Sequence, residues 1–185
     1  MEPVVTETEN QQKAPMLKWL LLTGLVIILD VITKAMASDN LVLHQAVTVF
    51  PGFNLTLMHN TGAAFSFLAD AEGWQRWFFS TIAIVVSAAI VVWMTRLQKG
   101  QTWLAVGLAM ILGGALGNVW DRITLGYVID FIDVYIPYTD WQHWPAFNIA
   151  DSAITVGAAI LIWDSLRSYK KSHPSASNEK LNGDA

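Results

Sequence analysis

TWLAVGLAMILGGALGNVWDR, residues 102–122, runs for nineteen residues from Thr102 to Trp120 without a charge and then sets Asp121 beside Arg122. A run of that length supplies the roughly 20 apolar residues that cross a hydrocarbon core about 30 Å thick. Gly113, Gly114 and Gly117 give it the small-residue spacing that lets membrane helices approach closely. The stretch predicts a membrane helix with close neighbours and a polar group at one end.

Three other stretches are apolar and of similar length: Leu17–Ala37, Trp77–Thr95 and Ile149–Leu166. The first does not read as a cleaved signal peptide, because Asp30 and Lys34 interrupt it and no small-residue cleavage site follows. Lys13 precedes it and Lys18 lies at its very start, Arg96 and Lys99 lie between the second and third, and Arg167, Lys170 and Lys171 follow the fourth. Segments 38–75 and 123–148 contain neither Lys nor Arg. Cytoplasmic flanks collect these residues, so both termini are expected in the cytoplasm. Residues 16–171 form a single four-span unit on this reading. The polar segments 1–15 and 172–185 read as disordered cytoplasmic tails.

The non-cytoplasmic segments carry strand signals. Asn54-Leu55-Thr56-Leu57-Met58-His59 alternates, Val47-Thr48-Val49 can pair with it across Pro51-Gly52, and Tyr127–Asp133 also reads as strand-like. The expected fold class is an all-α membrane protein of four transmembrane helices, with a small β-sheet and loop region on the non-cytoplasmic face. Trp74, Trp77, Phe78, Phe79, Trp141 and Trp144 suit an interfacial aromatic belt.

Composition narrows the chemistry. The chain is 54 % hydrophobic and 14 % charged, against roughly 25 % charged in soluble domains. It has no cysteine, which rules out disulfides, thiolate metal sites and a thiol nucleophile. A net charge of -4 without a dense basic run leaves no footprint for nucleic acid.

A charge at the centre of a bilayer costs at least about 2.5–3.5 kcal/mol, so polar groups in or beside a span need a partner or a purpose. Asp30 and Lys34 are four apart on one helix face and can pair. Asn118 is three and four residues from Asp121 and Arg122, within reach of both. Asp130 sits in an apolar strand-like run. Asn148 and Asp151 at the start of the fourth span resemble a capping box. Taken singly, the pair and the cap are self-sufficient. Taken together, Asp30, Asp121, Asp130 and Asp151 gather carboxylates at one membrane depth.

Two carboxylates sharing a site do not both ionise readily, so one becomes an acid and the other a base. Such a pair can activate water against a peptide carbonyl. Ser66, Ser80 and Ser152 lack the neighbours of a serine-protease motif. A hard cation on the carboxylates is the chemical rival. A zinc site is weakly supported, since His44, His59 and His143 lack paired spacing and read as exposed interfacial histidines. A proton-coupled transporter would thread charges across the bilayer rather than gather them at one face. A structural assembly factor would use the same groups as a buried ion-pair network.

Five motifs resemble lipoprotein signal peptidase, the bacterial type II signal peptidase. They are Asp30-Val31-Ile32-Thr33-Lys34, Asn60-Thr61-Gly62-Ala63-Ala64-Phe65, Gly113–Arg122, Val128-Ile129-Asp130-Phe131 and Phe147-Asn148-Ile149-Ala150-Asp151. The resemblance implies an aspartic endopeptidase with Asp130 and Asp151 as its catalytic dyad. It implies cleavage of diacylglyceryl-modified prolipoproteins just before the lipidated cysteine, with no cofactor and no metal. Asp30, Lys34, Asn60, Gly62, Asn118, Arg122, Asn148 and Ala150 fall at motif positions, which implies substrate-binding or dyad-supporting roles. Asp121, Gly114 and Gly117 lie within motifs, and a structural role is equally open for them. A single helix set carries every motif, which suits a working monomer. Asp151, in the first turn of its helix, is expected to be the more readily ionised partner, with Asp130 holding the proton. The stretch Ile132–Ala146, with Pro137, Tyr138, Trp141, Trp144 and Pro145, reads as a long functional loop.

Overall fold

Runs of 21–25 residues reach about 32–38 Å at 1.5 Å per residue, enough to cross a bilayer. The computed structural model describes residues 14–62, 73–137 and 143–172, with the backbone alone at 170–172. In it the four apolar stretches are helices α1 (Met16–Asn40), α2 (Trp74–Met94), α3 (Thr102–Thr124) and α4 (Ile149–Ser172). Between them lie strands β1 (Ala46–Phe50), β2 (Phe53–Asn60) and β3 (Val128–Val134). The polar tails apart from residues 14, 15 and 172, the Ala63-Ala64-Phe65 part of the second motif, Ser66, Tyr138 and Trp141 lie outside the described residues.

Helix α3 is the centre of the bundle and packs on α1, α2 and α4. Its small residues make that possible. A Cβ on Gly114 would lie 2.3 Å from the backbone oxygen of Ala150, and one on Gly117 would lie 2.6 Å from Asp30 Oδ2. One on Gly113 would meet Val26 at 2.7 Å. The outward faces carry large apolar side chains, among them Leu21, Leu25, Ile28, Val85, Val92 and Ile162, all exposed as lipid-facing residues would be. Thr23 is a polar exception and is satisfied within the bundle, its hydroxyl donating to the carbonyls of Trp19 and Ala109, both at 3.1 Å.

The strands form one antiparallel sheet in the order β1-β2-β3, set at the end of the bundle where α1 and α3 finish and α2 and α4 begin. Pro51-Gly52 makes the hairpin turn between Phe50 and Phe53, with Gly52 at φ +96°, the proline-then-glycine order of a type II turn. The pairing of Val47 with Leu55 realises the hairpin read from the sequence. Ala37, Leu57, Ile129 and Phe131 form the core between this sheet and the bundle. A second core of Trp19, Ile90, Met94, Leu97, Leu108 and Leu112 fills the opposite end.

Two contacts hold the sheet end of α3. Gly126, at φ +91°, ends α3, and its N–H reaches the carbonyl of Asp121 at 3.3 Å. Arg76, at the start of α2, donates to the last-turn carbonyl of Ile123 at 2.7 Å. The expected long loop after β3 is shorter than the sequence reading. β3 continues to Val134, and the chain returns alongside it: Trp144 N–H donates to Val134 O at 2.8 Å, and Phe147 and Ile132 exchange two bonds at 2.8 and 3.0 Å. Strand pairing beyond Asp133, invisible as a local pattern, accounts for the difference.

Gly114→Leu is expected to lower the thermal midpoint of the detergent-solubilised protein by several degrees or to prevent folding, since its neighbour is backbone that cannot rotate away. Gly24→Ala, with nothing within 4 Å, should leave the midpoint unchanged or raise it. A Gly114→Leu protein as stable as the parent would contradict the close approach of α3 and α4.

Candidate active site

A charge held among apolar helices must find its counter-charge there. Lys34, 2 % exposed, meets Asp30 Oδ2 at 2.7 Å and Asp121 Oδ2 at 2.9 Å, and donates to Asn118 Oδ1 at 2.9 Å. Those acceptors occupy the three N–H donors of an ammonium. The pairing of Asp30 with Lys34 follows from their spacing of four. The second carboxylate comes from α3, across the contact that Gly117 opens. Asp121 is thereby a buried ion-pair partner, and its carboxylate also accepts the Ile129 N–H at 3.2 Å, fixing the start of β3.

Asn118 departs from the sequence reading. Its side chain is hydrogen-bonded to neither Asp121 nor Arg122. It accepts from Lys34 and from Asn148 at 3.2 Å, and donates to Asp151 Oδ1 at 2.7 Å. Only its backbone carbonyl faces Arg122, at 3.4 Å. Spacing along one helix had suggested the neighbours three and four residues on, but partners on α1 and α4 outcompete them.

Asn148, fully buried, joins the two remaining carboxylates. Its Nδ2 donates to Asp130 Oδ1 at 2.7 Å and also lies 3.2 Å from Ile129 O. Its Oδ1 accepts the Asp151 N–H at 2.8 Å, while its own N–H reaches Asp151 Oδ2 at 3.4 Å. Those last two bonds complete the capping box. The cap and the cluster are therefore one structure. Another open N–H of the first turn, on Ala150, donates to Asp30 Oδ1 at 2.9 Å, so a carboxylate from α1 also caps α4.

Asp130 is 2 % exposed and receives a second amide, Asn60 Nδ2, on Oδ2 at 2.9 Å. This contact depends on a bulge in β2. Leu55 faces Ile132 and Met58 faces Asp130, so Thr56 and Leu57 together oppose Phe131. The extra residue brings Asn60 onto the Asp130 side of the sheet. Asn60 Oδ1 then accepts the Gly62 N–H at 3.0 Å, an Asx-turn, and Arg122 donates to Gly62 O at 3.2 Å. Burial pushes the Asp130 carboxyl up from 3.8 to about 7, and the charge of nearby Asp151 adds to the rise. The amides of Asn60 and Asn148 partly oppose it.

Asn60, Asn118, Arg122 and Asp151 line a cavity of about 540 Å³ whose other walls include Val128, Trp144, Phe147 and Ile154. The arrangement provides a buried acid, a carboxylate at a helix N-terminus and a mostly apolar chamber beside them. The sequence-predicted site residues Asp30, Lys34, Asn60, Gly62, Asn118, Asp121, Arg122, Asp130, Asn148, Ala150 and Asp151 belong to one network of hydrogen bonds and ion pairs, with Gly114 and Gly117 allowing α3 to close on it; of them only Asn60, Asn118, Arg122 and Asp151 line the cavity. Of the three histidines in the non-cytoplasmic segments, His44 and His59 are exposed as read. His143 is exposed too, yet it is tied to Asp133 at 2.6 Å, a contact between a strand end and a distant loop that no motif signalled.

A family model described as signal peptidase (SPase) II matches residues 22–167. The chain is 58 % identical over 158 residues to the lipoprotein signal peptidase of Pseudomonas paraeruginosa, covering 83 % of this chain and 90 % of that protein. It is 54 % identical over 162 residues to the protein of the same name from Pseudomonas putida, covering 85 % and 92 %. A bacterial membrane enzyme solved by the in meso method at 2.3 Å resolution superposes with a TM-score of 0.73 at 30 % identity, covering 90 % of this chain and 97 % of that one.

Lys34→Met strands two buried carboxylates, and breaking such a cluster costs about 3–5 kcal/mol. Its thermal midpoint in detergent is expected to fall accordingly, and Lys34→Met/Asp30→Asn to recover part of the loss. A double variant less stable than the single one would contradict the ion-pair assignment.

Proposed function

The chain belongs to the signal peptidase II family, and on that premise we propose that it is a membrane-embedded aspartic endopeptidase acting through Asp130 and Asp151. Its substrates are diacylglyceryl-modified prolipoproteins, cut just before the lipidated cysteine as they mature. The observation that carries the reading is Asn148. One neutral amide bonds Asp130 and caps Asp151, which holds two carboxylates in one site without supplying a cation that would ionise both.

Asp151 sits in the first turn of α4, where the helix dipole favours negative charge, and it accepts the Asn118 amide. It is the base. It takes a proton from water as the water oxygen attacks the scissile carbonyl. Asp130, with its carboxyl raised to about 7, is the acid. It donates a hydrogen bond to the carbonyl oxygen as that oxygen gains charge, and a proton then passes to the leaving amine as the C–N bond breaks. No covalent intermediate forms. Arg122 and Asn60 line the cavity, with the Gly62 backbone bonded to both, and they hold an extended peptide backbone. Val128, Phe147, Ile154 and Val156 offer apolar surface to the signal helix and acyl chains.

The membrane is the bacterial cytoplasmic (inner) membrane. The sheet end, with the dyad, lies at the periplasmic side, and both termini are cytoplasmic. Arg96, Lys99 and Arg167 all fall at the opposite end of the bundle, in agreement with the positive-inside rule. One chain contributes every site residue, so a monomer suffices.

Purified protein is expected to cleave a diacylglyceryl-modified prolipoprotein, and Asp130→Asn or Asp151→Asn to lose about 10²–10⁴-fold in kcat. Their melting should stay close to that of the parent. Either folded variant cleaving at the parental rate would remove its aspartate from the dyad, and variants that lose folding rather than turnover would favour a purely structural network.

The protonated Asp130 sets a second expectation. kcat/KM should fall about tenfold per pH unit above about pH 7, as Asp130 loses its proton. A carboxyl raised on folding also stabilises the fold fully below its ordinary 3.8, and that contribution is lost as pH rises through about 7. Thermal midpoints should therefore decline across this window in the parent and less in Asp130→Asn. An alkaline limb in kcat/KM that lies well above pH 8 would contradict the assignment of the proton to Asp130.

A further inference from the structure

Asp133 is a buried carboxylate on β3, three residues beyond Asp130, and strand alternation turns it to the opposite face of the sheet. The proposed chemistry does not use it, yet it is well supplied with donors. Thr56 Oγ1 donates to Oδ2 at 2.8 Å and Asn54 Nδ2 to the same oxygen at 3.2 Å, both from β2. The other oxygen meets His143 Nδ1 at 2.6 Å. Burial raises the Asp133 carboxyl, but the bonds from His143, Thr56 and Asn54 outweigh it and hold the group below its usual range. It is an ionised acceptor, and His143 Nδ1 can donate to it whether the ring is neutral or charged.

The position of His143 gives this contact its meaning. The next four residues, Trp144-Pro145-Ala146-Phe147, form a wall of the cavity, and Asn148 follows them. This segment pairs with β3 at Trp144 and Phe147, but Pro145 between them has no N–H to donate. The wall is bonded to β3 at two separated places, Trp144 and Phe147, by the backbone hydrogen bonds among the described residues. His143 bonds Asp133 of β3 beside the Trp144 end of the wall, and its ring stacks on Tyr135 at 4.8 Å between centroids.

We infer that Asp133 and His143 are positioning residues that latch the Trp144–Phe147 wall to β3 and so set how tightly the substrate is held. The inference rests on the reading of this cavity as the peptidase site. The latch touches neither the dyad nor Asn148, and the bonds of Phe147 fix Asn148 independently. Its loss therefore acts on substrate binding more than on the chemical step.

The test uses the full chain with a diacylglyceryl-modified prolipoprotein. His143→Phe keeps a ring against Tyr135 and removes the donor, whereas His143→Asn places an amide donor near the position of Nδ1. His143→Phe is expected to raise KM roughly tenfold, the scale of one charge-assisted hydrogen bond, with kcat within about twofold. His143→Asn should restore KM to within about threefold of the parent. Substrate dissociation constants on the Asp130→Asn background should shift in the same order. An unchanged KM in His143→Phe, a loss confined to kcat, or a His143→Asn protein as impaired as His143→Phe would overturn the latch. If His143→Phe does not accumulate, Thr56→Val removes another donor to Asp133. It is then expected to raise KM about threefold, and an unchanged KM overturns the proposal. Rapid cleavage by Asp130→Asn would instead sink the dyad reading and leave the KM contrast among the His143 variants to be judged by itself.

Discussion

A single ammonium group, that of Lys34, makes the rest of this structure possible. Burying a carboxylate among apolar helices costs several kcal/mol per ion unless charge and hydrogen bonds compensate it. Lys34 compensates two, Asp30 and Asp121, and in doing so ties α1 to α3. Asp30 is then free to give its other oxygen to the N-terminus of α4, and Asp121 to give a lone pair to the start of β3. The ion-pair cluster is thus the frame on which the strand carrying Asp130 and the helix carrying Asp151 are mounted. The close approach of α3 is its condition, since a side chain at Gly117 would occupy the space of the Asp30 carboxylate.

The site also separates two ways of holding an acid. Asp30 and Asp121 are held by a cation, while Asp130 and Asp151 are held by asparagine amides from Asn60, Asn118 and Asn148. A cation at contact distance favours the ionised form of a carboxyl; an amide fixes its geometry with a weaker pull on its proton. Placing neutral donors around the proposed dyad and the ammonium one layer away preserves the difference in acidity on which acid-base work depends. Arg122 stands at the cavity edge, bonded to backbone carbonyls rather than to either carboxylate.

Much of this was readable in the residues. The helices followed from apolar length, the hairpin from Pro51-Gly52 between alternating runs, and the Asp30–Lys34 pair from a spacing of four. The candidate cluster emerged because lipid makes every ionisable group near a span conspicuous. Interhelical choices were not readable. Nothing local says that Asn118 prefers Lys34 and Asp151 to its own helix neighbours, because that preference arises only when three helices meet. The return of residues 144–147 along β3, and with it the Asp133–His143 contact, was hidden for the same reason: pairing across a turn leaves no periodicity in the returning segment. Asn148 shows the limit of choosing between readings, since capping a helix and serving a site turned out to be the same set of bonds.

The bulge in β2 carries a consequence for how this chain tolerates change in length. Sheet faces alternate with a period of two, so an odd number of residues inserted or removed between Leu55 and Met58 would exchange the faces presented by the rest of the strand. Asn60 would then turn from Asp130 toward the core, and His59 would take its place. Point substitutions at Thr56 or Leu57 leave that parity untouched, whereas a single-codon deletion does not. The distance in sequence from Asn54 to Asn60 is therefore as much a part of the site as the asparagine at its end.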